Sequence, residues 1–316
     1  MGFQLLTLAI VHDLNMKTTL LFLLSFIASG FLFCQNEIYI QSGDETIHIT
    51  TYGEGQPILI INGGPGMNSE GFRALAKIIG KTNRAIIYDQ RGTGESSIPN
   101  IDRNSITLDA MVNDIEIIRN HLHIERWVIL GHSFGGMLGS YYSAKHPDRI
   151  RGLILSASGG IDMDVFSRLN ITARLTRTEK DSLDYWNAKI ARGDTTYNAR
   201  LKRGTFLAPA YLFDKSHVPV VAERLTQGNR TILGFVFQNM RKINFDCSDG
   251  LKKIKVPVLI IQGKQDVIDR KTAETAQKVL INSTLVMLDN CGHYGWLDQP
   301  ELYFKSINEY LECLKA

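Results

Sequence analysis

Several features that mark particular function classes are absent from this sequence. It has no long run of lysine or arginine, and a net charge of +3 over 316 residues is only weakly basic. Nucleic-acid binding depends on concentrated positive charge, so we expect no nucleic-acid partner. Neither a cluster of metal-ligand residues nor a dinucleotide-binding glycine fingerprint stands out. We therefore expect no metal and no cofactor.

A long apolar segment suited to crossing a membrane is also missing. The basic start at Met16 and the apolar run over residues 20–33 have the form of a secretory signal that is too short to span a bilayer comfortably. We predict a signal peptide with an upstream extension over residues 1–35, translation from Met16, and an exported protein, periplasmic or secreted, without a stable membrane span. The alternatives are a retained anchor helix or a lipid anchor on Cys34.

Cysteine is too scarce to build the fold on disulfides. The chain has four, and loss of Cys34 with the signal would leave Cys247, Cys291 and Cys313. At most one internal bridge can form from three cysteines. A bridge between Cys247 and Cys291 is conceivable because one precedes a predicted strand and the other follows the next strand, but buried free thiols are the favoured interpretation.

From residue 37 onward the chain alternates apolar runs of strand type with helical patterns. The predicted strands are EIYIQ, ETIHITTYG, PILIING, AIIYDQ, WVILGHS, GLILSAS, VPVLIIQGKQD and STLVMLDNCGH. The predicted helices are SEGFRALAKIIG, TLDAMVNDIEIIRNHL, GGMLGSYYSAKH and PELYFKSINEYLECL. The first two strands are predicted to form a hairpin.

This alternation stops between about residue 160 and residue 250, where no strand pattern occurs. Short β-branched runs outside that segment are typical of a parallel sheet buried on both faces. We therefore predict an α/β fold with a mostly parallel sheet flanked by helices. The core would comprise residues 36–159 and 251–316, and residues 160–250 would form a helical cap.

A serine between glycines lies where a predicted strand meets a predicted helix. Val128, Ile129 and Leu130 form the strand, and a helix is predicted from Met137 to Lys145, so GHSFG over residues 131–135 is the turn. Such a turn exposes the serine in a strained conformation, and only glycine fits two residues away on either side. This context predicts that Ser133 is a nucleophile.

A serine nucleophile needs a histidine base and a carboxylate at other strand ends. Among eight histidines, His293 alone follows the last strand in a loop, whereas His132 is expected to point elsewhere. Asp266 follows the preceding strand, which gives the order serine, aspartate, histidine that the α/β-hydrolase fold uses. Asp269 and Asp162 remain alternatives for the acid.

The glycine-rich segment NGGPG after strand PILII supplies backbone N–H groups for an oxyanion. We assign one donor to the N–H of Gly64 and the other to that of Phe134. Together with Ser133, these groups predict acyl transfer.

At this point the sequence resembles the α/β-hydrolase superfamily, and within it the prolyl iminopeptidase branch, over most of residues 40–316. NGGPG is similar to the HGGPG loop of that branch, with Asn62 in place of its histidine. YDQRGTGES, GHSFGG, GKQD and CGH resemble further segments in the matching order. We interpret Asp89 and Arg91, in the second of these segments, as structural.

The resemblance implies that acidic side chains of the cap hold the free amino group of the substrate. The only glutamates between residues 160 and 250 are Glu179 and Glu223, and basic residues outnumber acidic ones there. Trp186 is a candidate for an apolar substrate pocket. Five more aromatic residues share that expectation: Tyr185, Tyr211, Phe213, Phe235 and Phe237.

The sequence thus predicts a serine hydrolase of small amides or esters that most resembles a prolyl iminopeptidase, with a small molecule or short peptide as its substrate. The alternatives are a small-molecule carboxylesterase and a non-catalytic ligand receptor on the same fold. The basic cap favours a neutral or acidic acyl group, because an ammonium buried without a carboxylate is costly.

Overall fold

A computed structural model describes residues 35–315 of the chain. The predicted signal peptide, the start at Met16 and the alternative anchor on Cys34 lie outside these residues and stay predictions. No helix within the described residues is long and apolar enough to cross a membrane.

Eight strands form one sheet in the order β1-β2-β4-β3-β5-β6-β7-β8. Strands β1 and β2 form an antiparallel hairpin and β2 pairs antiparallel with β4, whereas all later pairs are parallel. The predicted hairpin and the mostly parallel sheet are confirmed. The strands are β1 (Gln35–Ser42), β2 (Glu45–Tyr52), β3 (Pro57–Ile61), β4 (Arg84–Tyr88), β5 (Trp127–His132), β6 (Ile150–Ser156), β7 (Val258–Gly263) and β8 (Ser283–Leu288).

Helices cover the sheet and fill the segment between β6 and β7. Those that flank the sheet are α1 (Arg73–Ile79), α2 (Leu108–His121), α3 (Phe134–Lys145), α9 (Ser248–Leu251), α10 (Arg270–Val279), α11 (Gly295–Asp298) and α12 (Pro300–Cys313). Those between β6 and α9 are α4 (Val165–Arg168), α5 (Arg177–Ala191), α6 (Tyr197–Leu207), α7 (Val218–Leu225) and α8 (Arg230–Lys242). We call α4 to α8 the cap helices. The boundaries predicted for the cap, 160 and 250, stay a prediction.

Side chains of the central strands divide between the two faces of the sheet. Leu59 and Ile61 of β3 pack into the apolar cluster on one face, and Ile58 and Ile60 pack into the cluster on the other. Alternation follows from the two-residue period of a strand, and β-branched side chains suit a strand that is covered on both sides. The continuous apolar runs of the sequence therefore become the buried centre of the sheet.

Helix α3 differs from its prediction, and the longest of the flanking helices that were not predicted is α10. Helix α3 begins at Phe134 rather than Met137, so the turn is essentially Ser133 alone, because Gly135 and Gly136 fit within the first helical turn against the sheet. Helix α10 was not predicted. It buries only the small side chains Thr272, Ala273 and Ala276, which give no pattern of large apolar residues.

The three cysteines of the described chain are free. Cys247 and Cys291 are buried and Cys313 is exposed. Burial raises the pKa of both buried thiols to about 12, so they remain protonated at neutral pH. The expectation of buried free thiols is confirmed.

Candidate active site

Ser133 lies between β5 and α3 in a backbone conformation that most residues avoid. Its φ is 55° and its ψ is −120°. The backbone N–H of Ser133 donates to the Ser156 carbonyl at 3.1 Å, and the Ser133 carbonyl accepts from the N–H groups of Gly136 and Gly159, each at 2.9 Å. A conformation of this kind persists only where its surroundings hold it, and such positions concentrate at functional sites.

The two glycines that flank the serine are required by close backbone approaches. A Cβ at Gly135 would lie 2.0 Å from the carbonyl oxygen of Ile61 on β3. A Cβ at Gly131 would lie 2.3 Å from the carbonyl oxygen of Gly135. A side chain at Gly135 would have to displace β3, and a side chain at Gly131 would have to displace helix α3. The turn therefore excludes side chains at both positions.

Asp266 and His293 are brought together from the loops after β7 and β8. The His293 Nδ1 atom and the Asp266 Oδ1 atom are 2.8 Å apart. The same oxygen accepts from the Ile268 N–H at 3.1 Å, and Asp266 Oδ2 accepts from Gln262 Nε2 at 2.8 Å. Held in this way, the buried carboxylate fixes the orientation of the imidazole ring.

The two alternative acids are engaged elsewhere. Asp269 caps the first turn of α10, where its carboxylate accepts from the Lys271 N–H at 2.8 Å. Asp162 accepts from the Asp164 N–H at 2.9 Å, and burial raises the pKa of its carboxyl group. Of the three candidate aspartates, the structure brings only Asp266 into hydrogen-bond distance of His293.

His132 contacts the predicted base. The ring centroids of His132 and His293 are 4.6 Å apart, and His132 is almost completely buried. Burial first, and the neighbouring His293 second, lower the pKa of His132, so it remains neutral. His132 was expected to point elsewhere, but its neutral ring packs against that of His293.

The NGGPG loop lies directly beside the serine. A Cβ at Gly63 would lie 2.6 Å from the Ser133 Cβ atom, and Gly64 has a φ of +69°, which glycine adopts freely. Phe134 is the first residue of α3, and the first N–H groups of a helix have no partner within the helix. Backbone N–H groups from two elements therefore adjoin the serine, as an oxyanion requires.

Asn62 stabilises this loop. Its Nδ2 atom donates to the carbonyl oxygens of Gly63 at 3.1 Å and of Met67 at 3.0 Å, and the backbone carbonyl of Asn62 accepts from Gln90 Nε2 at 2.8 Å. The amide thus closes the loop on itself, although it replaces the histidine of the family segment.

Arg224 of cap helix α7 also contacts the site, although it was not predicted from the sequence. Its Nη2 atom donates to the Gly63 carbonyl at 2.8 Å, and its guanidinium carbon lies 4.6 Å from the centroid of the Phe72 ring. The side chain is 5% exposed, and burial lowers its pKa. One signal in the sequence points to it, since Arg224 lies three residues after Val221 and one before Leu225 on the buried stripe of the helix.

Asp89 and Arg91 hold the loop after β4. Asp89 accepts from the backbone N–H groups of Ser69 at 2.8 Å and Glu95 at 2.9 Å, and Arg91 forms two hydrogen bonds to Asp114 at 2.7 and 2.8 Å. Buried carboxylates and guanidinium groups of this kind require such partners. These contacts agree with the structural interpretation of both residues.

Ser133 opens into a cavity of about 590 Å³ between the sheet and the cap helices. Gly64 and Phe134 line it near the serine, and Tyr211 and Phe237 are the members of the predicted aromatic set that reach it. Tyr211 also connects the cavity to the base, because its ring centroid lies 5.5 Å from that of His293. The remaining wall is mainly aliphatic, which suits an apolar group of the substrate.

The structure does not bring the three predicted substrate residues to this cavity. Glu179 forms the capping box of α5 with Thr176, and Glu223 is exposed and accepts from the Tyr197 hydroxyl. Trp186 packs under Lys189, whose Nζ atom lies 5.1 Å from the ring centroid. Within the described chain no acidic residue lines the cavity.

Residues 56–300 match the family model of the alpha/beta hydrolase fold, which covers more than half of the chain. The chain belongs to the alpha/beta-hydrolase family.

Its curated relatives include the proline iminopeptidase of Lactobacillus helveticus, 29% identical over 82% of this chain and 90% of that protein. The proline iminopeptidase of Saccharolobus solfataricus is 26% identical over 82% of this chain and 86% of its own length. This protein therefore resembles proline iminopeptidases within the family, and it is a hydrolase enzyme.

Solved structures agree in fold. An esterase from Exiguobacterium antarcticum superposes with a TM-score of 0.67 at 22% identity, over 89% of this chain and all of that one. A 2-hydroxy-6-oxo-6-phenylhexa-2,4-dienoate hydrolase from Rhodococcus superposes with a TM-score of 0.69 at 21% identity, over 89% and 99% of the two chains. At these identities the similarity establishes the fold alone.

Proposed function

We propose that the protein is a serine hydrolase that cleaves small esters, and amides more slowly, through an acyl-enzyme on Ser133. One observation carries the proposal: a strained serine opens into an apolar cavity beside a histidine that a buried aspartate orients. That combination activates a hydroxyl group that is otherwise a weak nucleophile.

In the proposed reaction the Ser133 oxygen attacks the substrate carbonyl carbon while His293 takes the hydroxyl proton. Asp266 stabilises the resulting imidazolium, and the N–H groups of Gly64 and Phe134 donate to the oxyanion. His293 then transfers the proton to the leaving alkoxide or amine, which leaves an ester on Ser133. Water attacks that ester, its proton passes through His293 back to the serine oxygen, and the acid product departs.

A fluorophosphonate probe tests the nucleophile directly. We expect the wild-type protein to gain one covalent adduct, and peptide mass spectrometry to place it on Ser133. The Ser133→Ala variant should remain unlabelled. Labelling of the variant at the wild-type rate would place the nucleophile on another residue and contradict the proposal.

A second candidate is an N-terminal-proline peptidase, which the similarity to proline iminopeptidases favours. The cavity argues against it, because an ammonium group bound without a carboxylate loses its hydration and gains no partner. The two candidates differ in the substrate they should cleave efficiently and in their dependence on Glu179 and Glu223.

We expect 4-nitrophenyl butyrate to be hydrolysed far faster than proline 4-nitroanilide. Glu179→Gln and Glu223→Gln should leave butyrate turnover at the wild-type level, since both glutamates lie outside the cavity. Kinetics with both substrates on the three proteins make the comparison. Efficient cleavage of the anilide that either glutamine variant abolishes would instead establish the peptidase.

A further inference from the structure

The cavity beside Ser133 carries an excess of positive charge. Arg200 and Arg203 of α6 and Arg230 at the start of α8 all line it, without a single acidic neighbour in the wall that the structure describes. None of the ion pairs within residues 35–315 includes any of these three arginines. Three guanidinium groups thus share one concave surface, and residues 35–315 provide no counter-charge there.

Arg203 is the most informative of the three because it is half-buried. Its Nε atom donates to Asn187 Oδ1 at 2.8 Å, and within the described chain this is its one side-chain hydrogen bond. The contact with a neutral amide orients the guanidinium plane and leaves both terminal nitrogens without a hydrogen bond to another described residue. Arg230 lines the same cavity, and burial first and the charge of Arg230 second lower the pKa of Arg203.

This arrangement costs stability unless something binds to it. A partly desolvated cation beside a like charge is unfavourable, whereas a bound anion restores both the charge balance and the hydrogen bonds. Exposed Arg200 and Arg230 can extend into solvent, but Arg203 is held against Asn187. A planar guanidinium with two free N–H donors matches a carboxylate in bidentate geometry.

Ser133 and the arginines line the same cavity from different elements, the serine at the end of β5 and the arginines on cap helices α6 and α8. Arg203 lies close enough to Tyr211 to interact with it electrostatically, and Tyr211 in turn contacts the ring of His293. Aliphatic residues, among them Leu207 and Leu225, line the cavity that Ser133 and the arginines share. With its carbonyl at Ser133, a substrate that fills this cavity would therefore place another part of its acyl group against the arginines.

We propose that the substrate carries a carboxylate at the end of its acyl chain remote from the scissile carbonyl, held by Arg203 with Arg200 and Arg230. The inference rests on the proposed serine hydrolase and names its substrate class, an ester or amide of a dicarboxylic acid. The carboxylate takes no part in bond breaking. It orients the acyl chain of the substrate and offsets the positive charge of the three arginines.

Two esters with the same leaving group test this preference. Mono-4-nitrophenyl adipate has a free carboxylate, and its methyl ester is the neutral counterpart, so 4-nitrophenolate release reports the same bond in both. We expect wild-type kcat/KM to be about 10- to 100-fold higher for the anionic ester, as for a charge-assisted hydrogen bond. A ratio of one or below, with the neutral ester well hydrolysed, would overturn the carboxylate site and leave the hydrolase standing.

Arginine variants locate the preference. Arg203→Gln and Arg230→Gln should each reduce the anionic-to-neutral ratio of kcat/KM about tenfold by removing a charged donor. Arg241→Gln is the matched control, because Arg241 is an exposed arginine of the same helix α8 and does not line the cavity. Its ratio should equal that of the wild type. An equal loss in Arg241→Gln, or no loss in Arg203→Gln, would contradict the assignment.

A binding measurement separates the substrate class from catalysis. In Ser133→Ala the cavity remains but the nucleophile is gone, so calorimetric titration with the two adipate esters reports affinity without turnover. We expect the anionic ester to bind at least about tenfold more tightly, and Arg203→Gln in the same background to remove the difference. Tighter anion binding in a protein that hydrolyses neither ester would support the site while rejecting the hydrolase; equal affinities would reject the site.

Discussion

Replacing Ser133 with alanine should lower kcat for 4-nitrophenyl butyrate by about 10⁴- to 10⁶-fold, with little change in KM. The substitution removes the attacking oxygen but leaves the cavity and the N–H groups around the carbonyl in place. Residual hydrolysis should therefore still exceed the rate in water. Steady-state kinetics at saturating ester, with the protein freed of contaminating esterase, measure the effect.

His293→Ala should reduce kcat to a similar degree, and the double variant with Ser133→Ala should be no slower than either single variant. Residues that act as one unit in a single step give non-additive losses. Asp266→Asn should cost less, about 10⁴-fold, because the imidazole remains but loses its orientation and its counter-charge.

Ser140→Ala provides the matched control for the serine. Ser140 lies on the same helix α3, is fully buried, and its hydroxyl has no hydrogen-bond partner among the described residues. Its removal should leave kcat at the wild-type value. Additive losses in the double variant, or a loss in Ser140→Ala comparable with that in Ser133→Ala, would contradict a serine and histidine that act together.

The fold was predictable because its elements are local and strongly patterned. Strands β3 and β5 are apolar runs that are each followed by a glycine-containing turn, and such runs are typical of a parallel strand buried on both faces. Helix α10 escaped prediction for the opposite reason. Its buried positions hold only alanine and threonine, because it packs close to the sheet, and small residues carry no apolar periodicity.

The candidate site was predictable where chemistry depends on a short motif, and not where it depends on tertiary packing. Ser133, Asp266 and His293 each follow a strand of a parallel sheet, so their meeting at one edge follows from topology. No comparable topological rule predicts which side chains of the cap helices face the cavity. Glu179 was selected for its charge, but a threonine three residues earlier makes it part of a capping box that occupies its carboxylate at the helix start.

Arg224 is the residue whose substitution should separate activity from stability. Its guanidinium donates to the carbonyl of Gly63, and the N–H of Gly64 belongs to the same peptide unit. A trans peptide is planar and its carbonyl and N–H point in opposite directions, so a cation on the carbonyl side fixes the plane and polarises the N–H. In the proposed mechanism that N–H donates to the oxyanion, which makes Arg224 a positioning residue.

We expect Arg224→Met to lower kcat about 10- to 100-fold with KM nearly unchanged. Direct loss of an oxyanion donor costs about 10²- to 10³-fold, and Arg224 acts one peptide away from that donor. Its effect should fall on kcat because the oxyanion exists only in the transition state and the intermediate. Asn62 retains its own hydrogen bond to the Gly63 carbonyl, so the loop should remain in place.

Stability should change by no more than about 2 kcal/mol in the same variant. Arg224 has no carboxylate partner among the described residues, so its buried charge is costly, and an apolar side chain of similar length retains the packing against Phe72. Chemical unfolding gives the free energy, and fluorophosphonate titration of active sites allows kcat to be expressed per competent molecule. If Arg224 merely fastened the cap to the core, Arg224→Met would lower the unfolding free energy and raise KM while kcat per active site stayed at the wild-type value. A fall in kcat per active site at unchanged KM and stability is the result that a polarised oxyanion peptide requires.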